Sequence, residues 1–250
     1  MQANESTPSV RVFDDPEQVA REAAGLFVRL SIEAVSERGR FAVALSGGTT
    51  PRRVYELLAS DDYGTQVSWA NVHVFFGDER TVAPDHADSN YRMANEALLS
   101  HVAIPSKNVH RIEGVGDAAA NASQYESEMG ELFGDVAWPR LDLVMLGMGD
   151  DGHTASLFPG SSALAEQRAW VAANWVEKFQ TWRITLTAPA INAARRVLFL
   201  VTGATKAERL REVLRGERDP SRLPSQLISP RDGTLEWFVD RAAAARLEGD

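Results

Sequence analysis

The chain has 250 residues, 44% of them apolar and 24% charged, with a formal net charge of −9 and no cysteine. That length and composition fit one large α/β domain over residues 1–250 with a sizeable core, and the missing thiols exclude disulfides, thiolate metal sites and a cysteine nucleophile. An acidic balance without any Lys/Arg-rich run argues against nucleic acid or an anionic membrane as partner, so an anionic ligand is expected to be small and gripped by a few placed cations.

Residues 1–10 lack a basic start followed by an apolar stretch, and the longest apolar runs, such as 197–201, are strand-sized, so a cytoplasmic, non-secreted chain is expected. Asp15-Pro16-Glu17 reads as a cap, a first-turn proline and a first-turn acid, opening a helix to about Glu37 that Gly39 ends. Phe41–Leu45 is a short apolar run stopping at Ser46-Gly47-Gly48, after which Thr50-Pro51 caps a helix through Leu58. Val72–Phe76 reads as a buried strand and 89–99 as a helix capped by Ser89. A helix-compatible stretch over 117–133 precedes a strand at 141–146. Further on, 183–187, 197–201 and 235–239 are strand candidates, with a helix over 206–214 between the last two. Strands alternating with helices, and apolar throughout, predict a mostly parallel sheet with helices on both faces. In such sheets ligands bind beyond the carboxyl ends of the strands, which directs attention to the loops after Leu45, Phe76 and Leu146.

In the first loop, Ser46-Gly47-Gly48-Thr49-Thr50-Pro51, glycines allow close backbone approach, hydroxyls add donors and a helix N-terminus favours negative charge; phosphate binding and a plain capped turn carry equal weight. A mononucleotide P-loop is disfavoured because the Gly-Lys-Ser/Thr ending is missing. Gly77-Asp78-Glu79-Arg80 sets charge at the sheet mouth, where Arg80 could grip a phosphate or an oxyanion, although taken alone the cluster reads as a solvated turn. Gly147-Met148-Gly149-Asp150-Asp151-Gly152-His153-Thr154 matches Gly-x-Gly-x-x-Gly, but two aspartates where a pyrophosphate would lie and a helix-stopping Pro159 argue against a dinucleotide site. The better reading is a glycine loop presenting His153, whose ordinary pKa suits proton transfer near neutrality. His73, His86, His101 and His110 lack such surroundings. No compact ligand spacing suggests a metal; Asp78, Asp85 and Asp88 are better read as a solvated acidic loop, and a Gly-x-Ser-x-Gly elbow is missing. Arg183 and Lys206 stand near element ends, each alone more ordinary as surface charge.

Together, the 46–51 loop, Phe75-Phe76-Gly77-Asp78-Glu79-Arg80, Ser89-Asn90-Tyr91, the segment from Gly147 through His153-Thr154-Ala155-Ser156-Leu157-Phe158-Pro159, and Arg183-Ile184-Thr185-Leu186-Thr187 resemble 6-phosphogluconolactonases. The match runs co-linearly from about Phe41 to Lys206. The resemblance implies a Rossmann-like α/β fold shared with glucosamine-6-phosphate deaminases, and cofactor-free hydrolysis of a small phosphorylated sugar lactone by a protein expected to be monomeric. It implies His153 as the base activating water and Arg80 as a substrate contact. Where the deaminases carry a glutamate five residues beyond the histidine, this chain has Phe158, which favours the lactonase. The expected arrangement docks the phosphate on Ser46, Gly47, Gly48 and Thr49 with Arg183 and Lys206, adds Asn90 and Gly147 to the binding surface, and leaves Asp78 or Asp151 to orient the imidazole. A sugar-phosphate isomerase or deaminase, and a non-catalytic sugar-phosphate sensor, are the alternatives.

Overall fold

In the computed structural model, which describes residues 9–247, strands and helices alternate along most of the chain. The reading of residues 1–10 falls outside the described residues except for Ser9 and Val10. Strand β1 (Ser9–Phe13) leads into α1 (Pro16–Arg38), whose first turn is capped by the Asp15 carboxylate accepting from Gln18 N at 2.9 Å and whose end is turned by Gly39 at φ 73°. Both boundaries lie where the cap, proline and glycine signals put them. Strand β2 (Phe41–Leu45) is buried at every residue, so both faces of the sheet are covered there. It is followed by α2 (Thr49–Leu58) and α3 (Asp61–Gly64). Next come β3 (Val72–Phe76), β4 (Asp78–Arg80), α4 (Asn90–Ala97) and α5 (Ala118–Phe133). The second half adds β5 (Leu143–Leu146), β6 (Val171–Val176), β7 (Thr181–Leu186), α6 (Ala188–Ile191), β8 (Arg196–Val201), α7 (Ala207–Arg215), β9 (Thr234–Asp240) and α8 (Arg241–Ala244).

The main sheet is wholly parallel, in the order β1-β9-β8-β5-β2-β3. Strand β2 has β3 on one side and β5 on the other, so the strand order reverses between β2 and β5 and a crevice opens beyond their carboxyl ends. One continuous core runs from α1 through both faces of the sheet to β9, with Phe199 and Trp237 stacked 3.8 Å apart at its centre. Among the described residues no helix is long and apolar enough to cross a membrane.

A second sheet corrects the sequence reading. The strand expected at 183–187 runs from Thr181 to Leu186 and belongs to a three-stranded antiparallel sheet, β4-β7-β6, rather than to the parallel one. Its partner β6 carries no long apolar run and no clear period, while β4 is three residues long and every one of them is charged. The helix expected over 206–214 is likewise split, because Lys206 closes a 3₁₀ turn (Ala204–Lys206) before α7 begins.

Candidate active site

The β2 and β5 ends and the small sheet enclose a crevice of about 370 Å³. The loop after β2 supplies Ser46, Gly47, Gly48 and Thr49, and the loop after β5 supplies Gly147, Gly149 and His153. From the other side come Asp78 and Arg80 of β4, Arg183 of β7, Asn90 at the start of α4 and Lys206 ahead of α7. The residues singled out from the sequence as site candidates therefore line one cavity, except Asp151, which stands behind His153.

The Gly77-Asp78-Glu79-Arg80 segment is no solvated turn. Asp78 and Glu79 are only 8% and 3% exposed. The Glu79 carboxylate accepts from the backbone N–H groups of Arg80, Asn90 and Tyr91 at 2.7–2.8 Å and from Ser89 Oγ at 3.1 Å, pinning the N-terminus of α4 against β4. Burial raises its pKa, against the lowering pull of those three amides. Asp78 accepts from Asn90 Nδ2 at 3.2 Å and from Ser156 Oγ at 2.6 Å. Gly47 packs so closely on this lattice that a Cβ there would lie 2.0 Å from Asn90 Oδ1.

The imidazole of His153 is placed by three contacts. Nδ1 lies 2.5 Å from Asp151 Oδ1, the Phe158 ring stacks on it at 4.0 Å, and Gly149 lies beneath it. Of the two carboxylates considered for this place, Asp151 is the one hydrogen-bonded to His153, while Asp78 is engaged elsewhere. With Nδ1 donating to an ionised Asp151, the lone pair belongs to Nε2, the nitrogen free to take a proton from a ligand or water. Burial pushes the Asp151 carboxyl up, but the hydrogen bonds from His153 and Lys178 outweigh burial and hold it well below the usual carboxylate range, so it stays charged. Ala155, two residues beyond His153, lines the same cavity with φ 46°, a left-handed conformation uncommon for alanine.

Across the cavity, Arg80 and Arg183 are direct cross-strand partners. Two guanidinia side by side repel unless an anion lies between them. Among the described residues the buried Nε of Arg183 has no hydrogen-bond partner, nor does the buried Oγ of Ser46. Burial, then the neighbouring Arg80 charge, lowers the Arg183 pKa from its ordinary value, against the opposing pull of Asp78, Glu79 and Asp88. Lys206 Nζ pairs with Asp150 in this state, within reach of the same space. Donors left unmatched in a cationic pocket suit an anion.

Sequence reasoning missed several cavity residues. Phe179 comes from the tip between β6 and β7, a hairpin invisible without its first strand. Thr50 and Thr202 share a 2.7 Å hydroxyl contact across the crevice floor, a pairing only the sheet order creates. The matched Trp175 and Trp182, paired across the hairpin, were the one local signal of it.

A carboxylate-backed imidazole shares one cavity with paired guanidinia at the switch point of a parallel sheet, an arrangement of an α/β enzyme whose site suits a small anion. Residues 14–237 match the family described as glucosamine-6-phosphate isomerases/6-phosphogluconolactonase. A protein of Nostoc named 6-phosphogluconolactonase is 40% identical over 242 residues, covering 96% of this chain and 98% of its own. A Synechocystis protein of the same name is 43% identical over 218 residues, covering 86% and 88%. The solved 6-phosphogluconolactonase from Trypanosoma cruzi superposes with a TM-score of 0.88 at 30% identity, covering all of both chains. The chain belongs to the glucosamine-6-phosphate isomerase/6-phosphogluconolactonase family, and its relatives put it among hydrolases.

Proposed function

We propose that the protein hydrolyses 6-phospho-D-glucono-1,5-lactone to 6-phospho-D-gluconate in the cytoplasm, the second step of the oxidative pentose phosphate pathway. The observation that carries this reading is the pairing, within one crevice, of a carboxylate-backed His153 with the unmatched donors of Arg183 and Ser46. The names of the curated relatives supply the substrate.

The phosphate docks against the 46–49 loop, Arg183 and Lys206, with Lys206 exchanging Asp150 for the ligand. Binding energy from this remote group orients the lactone carbonyl toward His153. His153 Nε2 takes a proton from water as the water oxygen bonds to the carbonyl carbon, and Arg80 stabilises the resulting oxyanion. The bond from carbon to ring oxygen then breaks, and protonated His153 returns its proton to the leaving hydroxyl. Asp151 stays ionised throughout, holding Nδ1 and stabilising the imidazolium. Phe158, at the position where the deaminases carry a glutamate, stacks on His153 and supplies no second carboxylate for ring opening.

The test is direct. Purified protein is added to lactone generated in situ and acid release is followed against the spontaneous opening; a rate proportional to enzyme supports the assignment, and a rate equal to background refutes it. Ammonia release from glucosamine-6-phosphate would instead reveal the deaminase.

A further inference from the structure

We propose that Lys178 is a positioning residue for this reaction, acting through Asp151 to hold His153 in the orientation and the neutral, Nδ1-protonated form that a base requires. The proposal rests on His153 being the base.

Lys178 lies in the tip (Glu177–Phe179) that joins β6 to β7. The tip is fixed from within: Gln180 closes it in a left-handed conformation at φ 50°, and its Nε2 donates to Glu177 O at 3.0 Å and to Glu177 Oε1 at 2.7 Å. Trp175 Nε1 donates to the other Glu177 oxygen at 2.9 Å. Both oxygens of the carboxylate nearest in sequence are thus engaged, and Lys178 Nζ reaches 27 residues back to Asp151 Oδ2 at 2.8 Å. The adjacent Phe179 meets Phe158 edge-on at 5.7 Å and lies under the Arg183 guanidinium at 5.6 Å. One short tip therefore touches the carboxylate behind the imidazole, the ring stacked on that imidazole and the cation across the cavity.

An ion pair in which the lysine is 54% exposed adds little to stability, so its consequence lies in what it does to the carboxylate. Asp151 divides its oxygens, Oδ1 to His153 and Oδ2 to Lys178, and the second contact stops the carboxylate from rotating. It also opposes part of the negative charge facing the imidazole. An unopposed carboxylate at that range would favour the imidazolium and leave less free base near neutrality. The other charges around His153 come from Arg80, Arg183, Lys206 and Asp78 lining the cavity, Asp150 in its own loop, and Arg209 of α7, which packs on that loop and donates to Asp150 O. Among the described residues Lys178 is the cation bonded to Asp151.

The full chain carrying Lys178→Met or Lys178→Arg is compared with wild type by two readouts: the pH profile of kcat and kcat/KM on the lactone, and an NMR titration of the His153 ring. In Lys178→Met the His153 midpoint and the acid limb move up by about half a unit to one unit, and kcat on the acid limb falls roughly 3–10-fold with KM unchanged. Lys178→Arg restores both. A Lys178→Met protein with the wild-type midpoint and profile overturns the proposal. Should wild type lack lactonase activity, the functional reading fails by itself, while the ring titration still decides whether Lys178 governs His153.

Discussion

Gly149 and His153 are in such close contact that a Cβ at position 149 would sit 2.0 Å from His153 Nδ1. The glycine that a dinucleotide motif would reserve for a pyrophosphate here makes room for an imidazole. The Gly149 N–H also donates to the His153 carbonyl at 2.9 Å, closing the loop on itself. Gly149→Ala is therefore expected to displace the ring and break its contact with Asp151. A shift of this size costs about 10²-fold in kcat with little change in KM. The check is steady-state kinetics beside a thermal melt, and an alanine variant with wild-type kcat would show that the close contact is not needed.

Arg183 makes a different prediction, because it is held beside Arg80 with an unmatched Nε. Arg183→Met should raise KM by about 10–100-fold, the worth of one or two charge-assisted hydrogen bonds, while kcat changes less. Removing one of two repelling charges should leave the unliganded melting temperature unchanged or higher. Inorganic phosphate, which should stabilise wild type by binding the native state alone, should no longer do so in the variant. Melting curves with and without phosphate test this; an undiminished phosphate effect would place the anion elsewhere.

How far the sequence disclosed this arrangement follows from the kind of signal each part leaves. Strands β2, β3, β5, β8 and β9 are apolar because helices cover both faces, and α1 carries its cap, proline and terminal glycine in order, so these were legible. The small antiparallel sheet was not, since β4 is defined by Asp78, Glu79 and Arg80, residues that ordinarily mean a solvated surface. What buries Glu79 is a set of amide donors at the start of α4, which no local pattern announces. His153 and the cations could be chosen one by one because strand-end loops are where such sheets bind ligands. Lys178 and Phe179 could not, because their place over the site depends on pairing β6 with β7.

A pair of histidines away from the crevice gives a pH prediction for stability. His73 Nδ1 and His110 Nε2 lie 3.2 Å apart, and His110 stacks on Phe75 at 4.3 Å. Burial, then His110, Arg40 and Lys107, lowers the His73 pKa from its ordinary 6.5; burial lowers that of His110 against a small opposing pull from Glu131. The unfolded chain accordingly takes up protons near pH 6.5 while the native pair resists. Their contribution is complete above that pH and is lost as pH falls toward the depressed native values. His110→Phe keeps the stack on Phe75 and should flatten the fall in unfolding free energy below pH 6.5. Denaturant melts at several pH values read the slope, and equal slopes in the two proteins would contradict the linkage.

The most direct measurement is the turnover of His153→Ala on lactone generated in situ, with the spontaneous opening subtracted. The account predicts a fall in kcat of about 10²–10⁴-fold with KM within a few-fold of wild type, because the phosphate contacts are made by other residues. Turnover unchanged from wild type would contradict it, and the role of His153 as the base would have to be abandoned.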